Sequence, residues 1–255
     1  MGAPMLAALR AAGLPARGYD VVPMDSLHIT DDVAVFSEEL DTLITVVRDI
    51  EQTEAVLFGE QNFATIPTLI RIIISSTLSP KYVNSLRARV PSHIALIDAP
   101  MSGAQIAAQE ARLSFMIGGD TSDIDGAMPL FHAMGKHFHR MGDYGAGMQA
   151  KVLNNLLAAS NTAMTRLILD WADAADLDRS ALLDLIHTSS GQNWFASGFN
   201  AIEFARDGFA PDNTIAILVK DVASALDAAP EGADTTLPET VQRTIAALKP
   251  RMPKG

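Results

Sequence analysis

Between Met148 and Ala175 the chain reads "MQAKVLNNLLAASNTAMTRLILDWADAA", with neither proline nor glycine. Apolar residues recur there at helical spacing over many turns, so the run predicts one long helix. The residues before it follow another rule. Short β-rich runs at 16–22, 41–47, 71–76, 94–100, 113–119 and 136–142 alternate with helix-like stretches at 3–12, 51–57, 79–88 and 121–134. The earlier runs are almost continuously apolar, as parallel strands covered on both faces are. Ser79-Pro80 supplies an N-cap and a first-turn proline for the third of these helices. The alternation predicts an α/β doubly wound sheet, and the segments after it predict an all-α half, with the boundary near 143–147.

Bulk properties narrow the function. Across 255 residues, 48% are hydrophobic and 19% charged, which suits a compact globule. A formal net charge of −11 argues against nucleic acid or an anionic membrane as partner, yet leaves room for a small anionic substrate. With no cysteine, neither disulfides nor thiolate chemistry is available. No run approaches a membrane span and no leader is visible, so the expected setting is cytoplasmic. The tail "KPRMPKG" (249–255) reads as a disordered basic end.

Four stretches carry chemistry. In "GAGMQAKVLNNLL" two glycines open the long helix, and Lys151, Asn154 and Asn155 follow at i, i+3 and i+4, on one side of it. Adjacent asparagines are poor interior helix residues. The run is either a lysine proton donor held by amides or a surface lysine beside two tolerated asparagines. In "DAPMSGA" a strand ends and Ser102-Gly103 makes a tight loop, either a carboxylate cradle or a plain turn. "IIISSTLSP" puts Ser76 and Thr77 at a strand's carboxyl end, where they reach a ribose or substrate or form a helix-entry turn. In "LVKDV" Lys220 sits beside Asp221, by default a solvated ion pair. Asp20 follows the first visible strand, where an acidic residue bonds the adenosine ribose; NAD is then favoured over NADP, because the carboxylate repels a 2′-phosphate. His132, His137 and His139 invite a metal reading, but Lys136 and Arg140 make their surroundings cationic, and no metal is assigned.

Taken together and in order, "MGAPMLAALRAAG…GYD", "VLFG", "SSTLSP", "DAPMSGA", "GAGMQAKVLNN" and "LVKDV" resemble the β-hydroxyacid dehydrogenases, the family of 3-hydroxyisobutyrate dehydrogenase and relatives of 6-phosphogluconate dehydrogenase. The resemblance implies a Rossmann-type doubly wound domain over 1–145. It implies an all-α substrate and dimerisation domain over 146–255, opening with a long interdomain helix. It further implies hydride transfer between NAD(P) and a small 3-hydroxy acid, with Lys151 as general acid/base and Asn155 positioning the substrate. Ser102, Gly103, Ala104, Asn154 and Lys220 would bind the substrate carboxylate and line the cleft. Gly2, Asp20, Val47, Arg48, Thr77 and Lys220 would face the cofactor. A homodimer or homotetramer through the helical domain is implied as well.

The departures from the family pattern are specific. Ser-Gly-Gly becomes Ser102-Gly103-Ala104, Ala107 and Ala111 stand where glycines are common, Arg112 replaces a usual threonine, and Leu-Pro becomes Val47-Arg48. Gly2 resembles the last glycine of G-x-G-x-x-G; the first two, and the strand before them, are not in this sequence. That strand is expected at the centre of a 3-2-1-4-5-6 sheet, so its neighbours should present open edges. The alternative reading is a cofactor-deficient, non-catalytic oligomer that binds a ligand or acts as a scaffold. A metal-dependent hydrolase using the histidines is a third.

Overall fold

A computed structural model describes residues 1–26 and 28–251. The chain divides into two compact units, 1–151 and 152–255. In the first, helix α1 (Gly2–Ala11) leads to β1 (Gly18–Tyr19), β2 (Ile29–Thr30) and α2 (Val33–Ser37). Then come β3 (Thr42–Thr45), α3 (Ile50–Leu57), β4 (Arg71–Ile74), α4 (Pro80–Leu86) and β5 (Ala95–Asp98). β6 (Met101–Ser102), α5 (Ala104–Gln109), β7 (Leu113–Gly118), α6 (Thr121–Met134) and β8 (Gly135–Gly142) complete the unit, up to the start of α7 (Ala146–Ala174).

β3, β4 and β5 pair in parallel and in order, Leu43 opposite Ile72 and Ile72 opposite Leu96. β7 then runs antiparallel to β5 and β6, and β8 returns parallel to β7. The sheet is therefore mixed. Apolar runs announce a strand covered on both faces but carry no sign of its direction, so the reversal at β7 shows only in its pairing. The alternation within "RIII" explains its continuous apolarity. Ile72 and Ile74 join Phe36, Leu57, Phe63 and Leu86 on one face, whereas Ile73 joins Met5, Leu9, Phe115, Ile124 and Phe131 on the other. The expected helix caps form: Ser79 Oγ accepts the Tyr82 N–H at 3.4 Å, with Pro80 in the first turn.

β1 and β2 form a separate parallel pair. The strand expected over 16–22 is thus only two residues long. The Gly18 N–H donates to His28 O and the Asp20 N–H to Thr30 O, so Tyr19 turns its backbone groups to the other edge. β3 likewise pairs only with β4, leaving its second edge without a strand among the described residues.

In the second unit α7 continues, followed by α8 (Arg179–Thr188), α9 (Trp194–Ser197), α10 (Thr214–Asp227) and α11 (Thr236–Ala246). Ala159, Ala163, Ile215, Val222 and Ile245 form one cluster, and Leu169, Leu183, Phe195 and Phe199 another. The tail departs from expectation at its start. Buried Arg166 donates to Lys249 O at 2.5 Å, and the Arg251 guanidinium pairs with Asp170 and Asp173. Residues 252–255 of that tail lie outside the described residues. No helix among the described residues is long and apolar enough to cross a membrane.

Candidate active site

β5 ends on Asp98, whose carboxylate is fully buried. Oδ1 accepts the Gly145 N–H at 2.7 Å and Oδ2 accepts the Met148 N–H at 2.5 Å, so the carboxylate caps the first turn of α7 from beneath. Glycines make the seat. A Cβ on Gly118 would lie 2.7 Å from Asp143 O and 2.8 Å from Gly147 N, and one on Gly145, at φ +97°, would run into Asn84. Burial pushes the Asp98 carboxyl up to about 6, against the pull of the Gly145 and Met148 N–H groups. Its folded value exceeds the ordinary 3.8, so folding takes up a proton here. The stability this group contributes is complete below 3.8 and is lost as pH rises through about 6. Sequence reasoning assigned Asp98 no role; the one available signal was a carboxylate closing the apolar run "IALID".

From Asp98 the chain runs through Pro100 into β6, where Ser102 meets the same helix a turn later. The Lys151 Nζ donates to Ser102 Oγ at 2.9 Å, and Lys151 is only 6% exposed. A lysine buried to that degree, on a hydroxyl at a strand's carboxyl end, is not the surface residue that spacing alone allowed. Gly103 follows at φ +134° and Ala104 at +56°; Ala111 closes α5 at +49°. Both alanines occupy left-handed backbone, the region that favours glycine. An L-residue there costs about 1–2 kcal/mol, part of which glycine returns through its freer unfolded chain. Ala104→Gly and Ala111→Gly should therefore each raise the unfolding free energy by about 1 kcal/mol. Urea denaturation checks this, and an unchanged or lowered midpoint would contradict it.

In the second unit, the Asn155 Nδ2 donates to Asp221 Oδ2 at 2.6 Å, and Lys220 Nζ lies 3.0 Å from Asp221 Oδ1. Asn154 Nδ2 reaches Asn155 Oδ1 at 3.3 Å. Asp221 is only 3% exposed, so the solvated ion pair expected from "LVKDV" is instead a buried carboxylate that orients Asn155 and holds Lys220.

The remaining expected residues lie at strand ends and helix starts. Gly2 opens α1, and a Cβ there would lie 4.0 Å from Val46 Cβ, just beyond β3. Val47 is half-buried and Arg48 exposed, its N–H donating to Gln52 Oε1 at 3.0 Å. Asp20 is exposed, and Oδ1 accepts the Val22 N–H at 3.0 Å. Thr77 is half-buried in the loop after β4. Close by, the Thr45, Ser75 and Ser76 hydroxyls are buried at the ends of β3 and β4 with no hydrogen-bond partner. Orphaned hydroxyls at adjacent carboxyl ends of parallel strands fit the polar edge of a nucleotide, the place where open α/β sheets bind ligands. Of the histidines, His132 packs edge-on against Phe138 at 4.6 Å between ring centres. No group of three histidine, aspartate or glutamate residues able to hold a metal occurs among the described residues.

Residues 1–142 match the NAD-binding domain of 6-phosphogluconate dehydrogenase, and residues 145–254 match the NAD-binding domain of NADP-dependent 3-hydroxyisobutyrate dehydrogenase. A probable 3-hydroxyisobutyrate dehydrogenase of Mycobacterium tuberculosis is 33% identical over 242 residues, covering 89% of this chain and 82% of the relative. This chain belongs to the β-hydroxyacid dehydrogenase family. As a β-hydroxyacid dehydrogenase it is an oxidoreductase that uses NAD(P). An NAD-dependent L-serine dehydrogenase of Pseudomonas aeruginosa is 31% identical over 209 residues, covering 78% of this chain and 70% of the relative. Among solved structures, Mycobacterium tuberculosis 3-hydroxyisobutyrate dehydrogenase with L-serine superposes with a TM-score of 0.79 at 27% identity, covering 98% of this chain and 92% of that one.

Proposed function

We propose that this β-hydroxyacid dehydrogenase oxidises a small 3-hydroxy acid with NAD, and that Lys151 takes the proton from the substrate hydroxyl. The observation that carries the reading is the buried Lys151 Nζ on Ser102 Oγ, at 2.9 Å. A hydroxyl of the substrate seated beside Ser102 comes within proton-transfer reach of that amine. Ser102 and the Gly103–Ala104 backbone hold the carboxylate, and Asn154 and Asn155 orient the reacting end, with Lys220 as a further cation for the acid. NAD supplies the hydride acceptor. Gly2, Asp20, Val47, Arg48 and Thr77 bind it, and the exposed Asp20 carboxylate favours NAD over NADP by repelling a 2′-phosphate. The domain roles follow: 1–145 carries the cofactor, and 146–255 serves the substrate and the oligomer.

The relatives named above point to 3-hydroxyisobutyrate and L-serine, which share a carboxylate and a 3-hydroxyl, as first substrates. The test is initial-rate reduction of NAD and NADP with each acid, alongside binding of NADH by fluorescence. Turnover with at least one acid, about tenfold or more faster with NAD, is the expected result. Failure to bind NADH would instead support the non-catalytic ligand-binding or scaffold relative. A homodimer or homotetramer through the helical half belongs to the same reading. Leu153, Leu157, Met164 and Trp171 recur at coiled-coil spacing on α7, each more than half exposed, a stripe suited to a second copy.

A further inference from the structure

We infer that Asp98 is a positioning residue, which fixes the register of α7 so that Lys151 meets Ser102. The inference rests on the assignment of proton transfer to Lys151. A lysine side chain has four rotatable bonds and cannot by itself hold its own helix in place. Asp98 and Ser102 stand four residues apart on one strand-and-loop segment, and both engage α7. Asp98 takes the amides of Gly145 and Met148; Ser102 takes the amine of Lys151. Two anchors separated along both segments define the helix's rotation as well as its advance.

The seat around the carboxylate is close-packed. A Cβ on Gly118 would run into the carboxylate itself, one on Gly147 would lie 3.0 Å from the Asp98 carbonyl oxygen, and the Leu78 N–H donates to Met148 Sδ at 3.3 Å, tying the same turn to the loop after β4. A helix end held this way can shift only if the carboxylate loses its two donors. Both oxygens are needed, because each amide points at a different one. An amide in place of the carboxylate offers one acceptor and turns an NH2 group toward the other N–H.

The test is Asp98→Asn in the full chain, compared with wild type and with Lys151→Ala. In Asp98→Asn kcat should fall at least tenfold while KM for NAD changes less than twofold. The thermal midpoint should fall, since the amide leaves one buried N–H facing an NH2 group. Hydrogen exchange at the Gly145 and Met148 amides, slow in wild type, should accelerate in the variant. Wild-type kcat in Asp98→Asn, with Lys151→Ala inactive, would overturn the inference and leave the role of Lys151 standing. Full activity of Lys151→Ala would remove the premise instead. If the asparagine variant fails to fold, wild-type exchange still decides: unprotected Gly145 and Met148 amides would overturn the inference.

Discussion

Lys151→Ala should lower kcat by about a thousandfold, with NADH binding unchanged. General acid–base groups contribute about 10²–10⁴ to rate, and a buried amine on the substrate-loop hydroxyl leaves water no easy route to replace it. Truncation removes the donor to Ser102 Oγ but touches nothing at the ends of β3 and β4, where the nucleotide is proposed to lie. Binding of NADH by fluorescence and turnover of 3-hydroxyisobutyrate or L-serine, measured on the same preparation, separate the two effects. Should the variant keep full turnover, proton transfer must be assigned elsewhere. Weakened NADH binding with normal kcat would place Lys151 at the cofactor.

A substitution at Gly147 acts on the fold before the chemistry. Its Cβ would press into the Met116 carbonyl oxygen and lie 2.9 Å from Met116 C and 3.0 Å from Asp98 O. Those atoms belong to two neighbouring strands, β7 and β5, paired through Asp98 and Gly118, so the strain has no flexible side chain to absorb it. Gly147→Ala should cost about 3 kcal/mol or more and remove most soluble protein at physiological temperature. Gly191→Ala is the control, since a Cβ there meets only Ile186 Cγ2, at 3.8 Å. Urea unfolding of the two variants gives the comparison. A Gly147→Ala protein as stable as Gly191→Ala would mean that α7 is not seated as described.

Much of this was legible in the residues because it rests on local patterning. The runs at 71–76 and 94–100 became β4 and β5, and the unbroken run after Met148 became most of α7. Strand direction was not legible: β7 is as apolar as β4 and β5, which pair in parallel, and only its antiparallel pairing with β5 reveals that it runs the other way. Neither was α5, six residues hidden behind Ser102-Gly103, where a tight loop was expected. Lys151 and Ser102 were each visible as candidates, and their meeting needed the fold. Asp98 and Asp221 escaped for a shared reason. A single aspartate in a sequence carries no mark of burial, and both owe their significance to amides that lie 47 to 66 residues away in the chain.

The separation of β1–β2 from the larger sheet bears on solubility. Thr42 and Ile44 on β3, and Tyr19 on β1, turn backbone donors and acceptors toward no strand among the described residues. Natural sheets blunt such borders with charge, proline or a covering element, because an unblunted one is a template for whatever extended segment arrives first. Charge sits only at the two limits of β3, with Glu39 and Asp41 before it and Arg48 and Asp49 after it, so the largely apolar run 43–47 between them is left as the unblunted part of that border.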